Sequence, residues 1–171
     1  MLPAAAKTAL SAMVARAEQA AVLAMIDEEA KGIDRLGSKV SATTLEQWRA
    51  AGRLPKGVVA QLESLHAQKA ALTEGQRKVK ARNATIAETF KNQDRLRENI
   101  RSLEKVGTNA LTTRYLKDLD KEEDGLIAMR REIAGLEEKD AALRAAMAAA
   151  QLKLAAEVKR LRDEAAAEAA E

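Results

Sequence analysis

Residues 115–161 read YLKDLDKEEDGLIAMRREIAGLEEKDAALRAAMAAAQLKLAAEVKRL. Tyr115, Leu119, Glu122, Leu126, Met129, Ile133, Leu136, Asp140, Leu143, Met147, Ala150, Leu154, Glu157 and Leu161 recur at a strict 4-3 spacing, and eleven of these fourteen are apolar. Such a repeat lays one seam along one face of a helix, and a seam of that length needs a partner helix. The fold class that follows is all-α, built on a long antiparallel coiled-coil hairpin.

A second periodic stretch lies upstream. Val58, Leu65, Leu72, Val79, Ile86, Gln93 and Ile100 are seven apart, and six of the seven are apolar. A weaker row, Leu62, Lys69, Gln76, Asn83, Phe90 and Arg97, is expected beside it. Between the two helices stand Val106, Gly107, Thr108 and Asn109, with Gly107 as a helix stop and Thr108 or Asn109 as the next N-cap. A turn this short implies that the helices fold back on each other. If residues whose numbers sum to about 215 lie opposite, apolar meets apolar along the seam, as in Ile86 with Met129 and Val79 with Leu136. The polar interruption Gln93 then faces the polar interruption Glu122, Phe90 meets Leu126, and Gln76 falls near Asp140. Lys91, Arg95 and Arg97 are expected opposite Asp124, Asp120 and Asp118, and the run 77–82 opposite Glu132 to Asp140.

Upstream of residue 55 the chain reads as an N-terminal helical segment, 1–54, distinct from the hairpin, 55–171. One helix is expected over about 3–31, starting at Pro3 and stopped by Gly32, and a shorter one over about 43–51. Thr43 and Glu46 have capping-box spacing. The hairpin helices are expected over about 55–104 and 109–165, with the turn at 105–109 and the N-terminal helices covering the base near Val58, Leu62, Leu154 and Leu161.

The three aromatic residues, Trp48, Phe90 and Tyr115, supply little of a globular core, and the Ala, Leu, Glu, Lys and Arg content is that of long helices. A net charge of +3 makes no strong global field for nucleic acid. Without cysteine there is no disulfide or thiol chemistry, and the compartment stays open, a cytoplasmic setting fitting the residues somewhat better. No continuous apolar run nears the ~20 residues of a membrane-spanning helix. Lys7 to Ala17 loosely resembles a secretory signal ending in Ala15-Arg16-Ala17, but its short apolar stretch and Arg16 favour an ordinary amphipathic helix.

Chemistry is sparse. His66, the single histidine, follows the seam position Leu65 and is expected beside the seam, partly exposed, with no Cys or second His to join it on a metal. Asp118-Leu119-Asp120-Lys121-Glu122 begins like a calcium loop, but Glu123 and Met129 stand where Gly and Glu are required. No phosphate loop or nucleophile elbow is present. No enzyme, cofactor, metal or small-molecule substrate is therefore expected. The expected role is a structural or protein-interaction coiled coil, a spacer or scaffold whose partner is another protein or a second copy. Its docking surfaces would be the tip, Val106 to Asn109, and the N-terminal face carrying Leu10, Met13, Val14 and Ala17. The alternative is a nucleic-acid-binding coil using Arg77, Lys78, Lys80 and Arg82, although no aromatic side chain interleaves that run. A membrane surface is the least expected partner.

Phe90-Lys-Asn-Gln-Asp-Arg-Leu-Arg-Glu-Asn-Ile100, followed after the turn by Arg114-Tyr115-Leu116 and Glu122-Glu123-Asp124, resembles the helical hairpin of bacterial mucoidy-inhibitor-like proteins, a domain of unknown function. The lead-in Leu45 to Val58 is similar too, so the resemblance runs from about Ser41 to Arg162. It implies a coiled-coil hairpin carried by a larger protein, no known catalytic residue, and a connection to the cell envelope. In that family the hairpin emerges from a β-rich domain, whereas residues 1–40 here read as helical.

Overall fold

The computed structural model describes residues 4–104 and 110–168. It is all-α: α1 spans Ala4–Ala30, a 3-10 turn Ile33–Arg35, α2 Ala42–Ala50, α3 Lys56–Glu104 and α4 Ala110–Glu168. Helices α3 and α4 form the antiparallel hairpin. Two compact units result: residues 1–71 with 143–171, and residues 72–142. Residue 54/55 is thus a boundary between helices and not between compact units.

The first unit is a closed core. Val22, Leu23 and Ile26 of α1 meet Leu36 and Val40 of the connector, Leu45 and Trp48 of α2, and Val58, Leu62 and Leu65 of α3, with Met147, Leu154 and Val158 of α4; all are buried. The short helix is fixed at both ends. Ser41, in extended conformation, is its N-cap and accepts from the Thr44 N–H at 3.1 Å. Thr43 lies inside the first turn, so the cap sits two residues before the one its capping-box spacing suggested. At the other end Gly52 takes a left-handed φ of 64° and the Arg53 N–H bonds back to the Trp48 carbonyl at 3.0 Å. That is a glycine-dependent helix stop, which a Cβ would strain. Pro55 then opens α3, its carbonyl accepting from Val58 and Val59 N–H at 3.0 and 3.2 Å.

Among the described residues the second unit consists of two helices. Its register is the one the seams dictate: Gly75 lies against Asp140, the Arg82 guanidinium grips Glu132 through two bonds of 2.7 and 3.1 Å, Asn92 donates to Glu122, and Gln93 donates to Glu123 at 3.2 Å. As the α3 number rises the α4 number falls, which defines antiparallel packing. The α4 stripe faces inward as read from the sequence, with Leu126 fully buried and Glu122, Met129, Ile133, Leu136 and Asp140 half-buried.

On α3 the second row in this unit is on the other side of the first. Gly75 and Leu96 are buried and Thr89 and Leu103 half-buried, whereas Gln76, Asn83, Phe90 and Arg97 are exposed. The two candidate rows flank the seven-residue row at +3 and +4. The +3 row carries Gly75, Thr89, Leu96 and Leu103, with Arg82 exposed among them and reaching Glu132, whereas the +4 row is polar except for Phe90, so burial selects the former. Phe90 therefore sits 41% exposed, with the Arg130 guanidinium 5.8 Å from its ring centre, instead of meeting Leu126. The packing also explains Gly75: a Cβ there would run into the Asp140 carboxylate. Lys91 and Arg97 pair one turn away on their own helix, with Glu88 and Asp94, and Arg95 donates to Asn92, so the run Lys91, Arg95, Arg97 does not reach across as expected.

Candidate interaction surfaces

The hairpin tip, Val106, Gly107, Thr108 and Asn109, lies outside the described residues. The N-terminal face is described, and it is open: Leu10, Met13 and Val14 are 55%, 66% and 52% exposed, and every residue from Lys7 to Ala21 is exposed, Ala17 included. Ala20, Ala21 and Ala24 are exposed too, and burial starts at Val22. Branched and long side chains bury more area than alanine, so Val22, Leu23 and Ile26 decide which way α1 turns. By length and composition Ala6–Ala30 is also a helix apolar enough to cross a membrane, with 17% of its most apolar window buried. This stands beside the absence of a continuous apolar run: abundant alanine raises the mean hydropathy without a continuous run of large apolar residues.

The last turn of α1 does something the sequence did not announce. Glu29 is fully buried, and its carboxylate accepts from the backbone N–H groups of Gly37, Lys39 (2.6 Å) and Val40 (3.1 Å) and from the Ser38 hydroxyl (3.4 Å). Gly37 at a φ of 77° bends the connector so that these donors converge. Lys69 donates to the Leu36 carbonyl on the outer side, and Gln151 of α4 donates to the Glu29 carbonyl at 3.3 Å. His66 sits beside the buried seam residue Leu65 and is partly exposed as expected, its side chain 18% exposed, and its Nε2 lies 3.7 Å from the Glu29 carboxylate. The arrangement is a polar staple joining α1, the connector, α3 and α4. Among the described residues no group of three or more His, Asp or Glu side chains is placed to hold a metal ion.

The basic run is largely occupied. Arg77 grips Glu74 with two bonds of 2.7 and 2.8 Å, Lys78 lies 3.8 Å from the same carboxylate, and Arg82 holds Glu132; Lys80 is exposed. The hydrogen bonds of Arg77 hold the Glu74 carboxyl below its ordinary range, and those of Glu132 raise Arg82 further.

One groove belongs wholly to the two-helix unit. Its floor is Thr89 and Leu96 of α3 with Gly125 and Met129 of α4, and a Cβ added at Gly125 would meet nothing within 4 Å. Glu122 stands at its edge with one carboxylate oxygen on Asn92 and the other, Oε2, buried without a hydrogen-bond partner among the described residues.

No family model, curated protein or solved structure matches the chain in the comparisons made.

Proposed function

We propose that the chain is a non-catalytic coiled-coil module for protein–protein contact, a spacer or scaffold whose working surface is the two-helix hairpin of residues 72–142. One observation carries this reading. The seam side chains Val79, Ile86, Tyr115, Leu119, Met129, Ile133 and Leu136 all stay half-exposed, because two helices cannot enclose a seam that needs cover on its flanks. The resemblance of Phe90–Ile100 and Arg114–Asp124 to the mucoidy-inhibitor-like hairpin supports the same proposal, since a hairpin carried by a larger protein is a presented surface.

The nucleic-acid alternative is weaker on the same grounds. Three of its four basic side chains are turned toward carboxylates, and giving them to phosphates means breaking those pairs first. A photo-crosslinking residue at Lys121, on the rim of the Gly125 groove, tests the proposal in cells. The expected result is an adduct with protein. Absence of any protein adduct, together with salt-sensitive duplex DNA binding lost on changing Arg77, Lys78, Lys80 and Arg82 to Gln, would overturn it.

A further inference from the structure

We infer that the occupant of the Gly125 groove is the same groove of a second copy of this chain, giving a four-helix dimer with its twofold axis along the hairpin. The inference rests on the interaction reading above and names its partner.

Four features of the groove agree. Its floor is mainly apolar and partly covered, with Met129 and Thr89 half-buried beside the buried Leu96. Gly125 lets another helix approach closely, since no side chain stands there. Its rim carries both signs, Arg95 and Lys121 with Asp118 and Glu122. An isologous interface needs such a self-complementary set, because each contact is made twice with the roles exchanged. Finally, the buried Glu122 Oε2 has no hydrogen-bond donor among the described residues. A buried acceptor is satisfied in nearly all folded proteins; because its own chain covers this oxygen, a guanidinium of the second copy reaches it when the carboxylate turns toward the groove.

Charge also chooses the orientation. Within this unit α3 carries eight basic and five acidic residues, and α4 six basic and nine acidic. A twofold axis running across the hairpin would lay α3 on the partner's α3, basic on basic. An axis along the hairpin lays α3 on the partner's α4 at the same level. Arg95 and Glu122 stand at nearly the same level of one hairpin, so this arrangement brings Arg95 of each copy toward Glu122 of the other. The helices in this unit offer over thirty residues each, enough length to supply the ~800 Å² per partner of an ordinary stable interface.

The test is sedimentation velocity of the full chain over a wide concentration range, with circular dichroism in parallel. The wild type is expected to dimerise. Gly125→Trp is expected to be monomeric with undiminished helicity, since a Cβ at this position meets nothing within 4 Å and an indole built on it would occupy the groove. Arg95→Glu is expected to weaken the dimer at least about tenfold, and adding Glu122→Arg to restore much of the loss. Leu10→Ser with Met13→Ser and Val14→Ser is expected to leave the dimer intact. A wild type that stays monomeric throughout overturns the inference, as does a Gly125→Trp dimer as tight as the wild type. The Lys121 crosslink separates the two levels: an adduct of two copies supports the dimer, an adduct with a different protein overturns the dimer but keeps the interaction module, and no protein adduct overturns both.

Discussion

The same two helices are enclosed in one unit and bare in the other. In residues 1–71 with 143–171, α3 and α4 are joined by α1, the connector and α2, and Leu62, Leu65, Met147, Leu154 and Val158 are sealed. In residues 72–142 the described elements are these two helices, and among their large apolar side chains Leu72, Leu96 and Leu126 are buried. Heptad repeats of similar quality therefore produce a core in one place and a surface in the other. A seam pattern states that cover is needed; the number of helices present states whether it has been found.

An effect among the largest, and one that would break this contrast, is at Glu29. Replacing it by Ala removes the acceptor of three backbone N–H groups and a hydroxyl. We expect a loss of about 3–5 kcal/mol confined to the first unit, read as a lowered urea midpoint together with fast amide exchange in α2 and the connector. A loss under ~1 kcal/mol would show that apolar packing alone closes that core.

A matched pair of leucines sharpens the comparison. Leu154 and Leu126 are both 0% exposed, one in each unit. Leu154→Ala should cost near the top of the usual range, about 4–5 kcal/mol, because the enclosed site cannot collapse. Leu126→Ala should cost nearer 2–3 kcal/mol, since two helices can close on the gap and water can reach it. Equal losses would mean that the second unit is enclosed too.

Smaller still is Gly75→Ala. Alanine raises helix propensity by about 1 kcal/mol over glycine, and only the Asp140 carboxylate must move to admit it. Asp140 is half-buried and can turn to water, so a slight rise in melting temperature is expected, and a larger one for Gly75→Ala with Asp140→Ala. A fall in the double variant would show that Asp140 contributes more than its collision costs.

The smallest expected effect is of pH. Hydrogen bonds from Lys31, Arg77 and Arg160 hold the carboxyls of Glu28, Glu74 and Glu157 below their ordinary value of 4.5. Carboxyls depressed in the folded state stabilise it above that value, and the contribution fades as pH falls through the lower folded values. All three are on the surface, so urea midpoints should drop only slightly between neutral and pH 3, and less in high salt. Stability that rises on acidification would contradict these pairs.

The sequence made the hairpin legible because a repeat sustained over fourteen positions leaves one solution, and the matching of Gln93 to the acidic layer set the register to within a residue. The second row of α3 was not legible from the seven-residue repeat alone, since rows at +3 and +4 satisfy it equally and only side-chain size separates them. Phe90 misled because aromatic residues are usually buried. The Glu29 staple was invisible for a different reason: it depends on the path of residues 37–40, which Gly37 sets through a left-handed backbone and no periodicity encodes. A carboxylate at the end of an otherwise apolar face, followed within ten residues by Gly-Ser-Lys-Val, was the only available signal. Of the candidate surfaces, the open N-terminal face could be read from composition, whereas the Gly125 groove required knowing which flank of the hairpin Thr89 and Leu96 occupy.

The measurement that tests the contrast most directly is amide hydrogen exchange of the intact chain at low and high protein concentration. The account predicts that the first unit protects its amides equally at both, being closed on itself. It predicts that protection in residues 89–96 and 118–129 grows with concentration as the half-covered hairpin gains its partner. Protection that is independent of concentration in both units, or that grows only in the first, would contradict it.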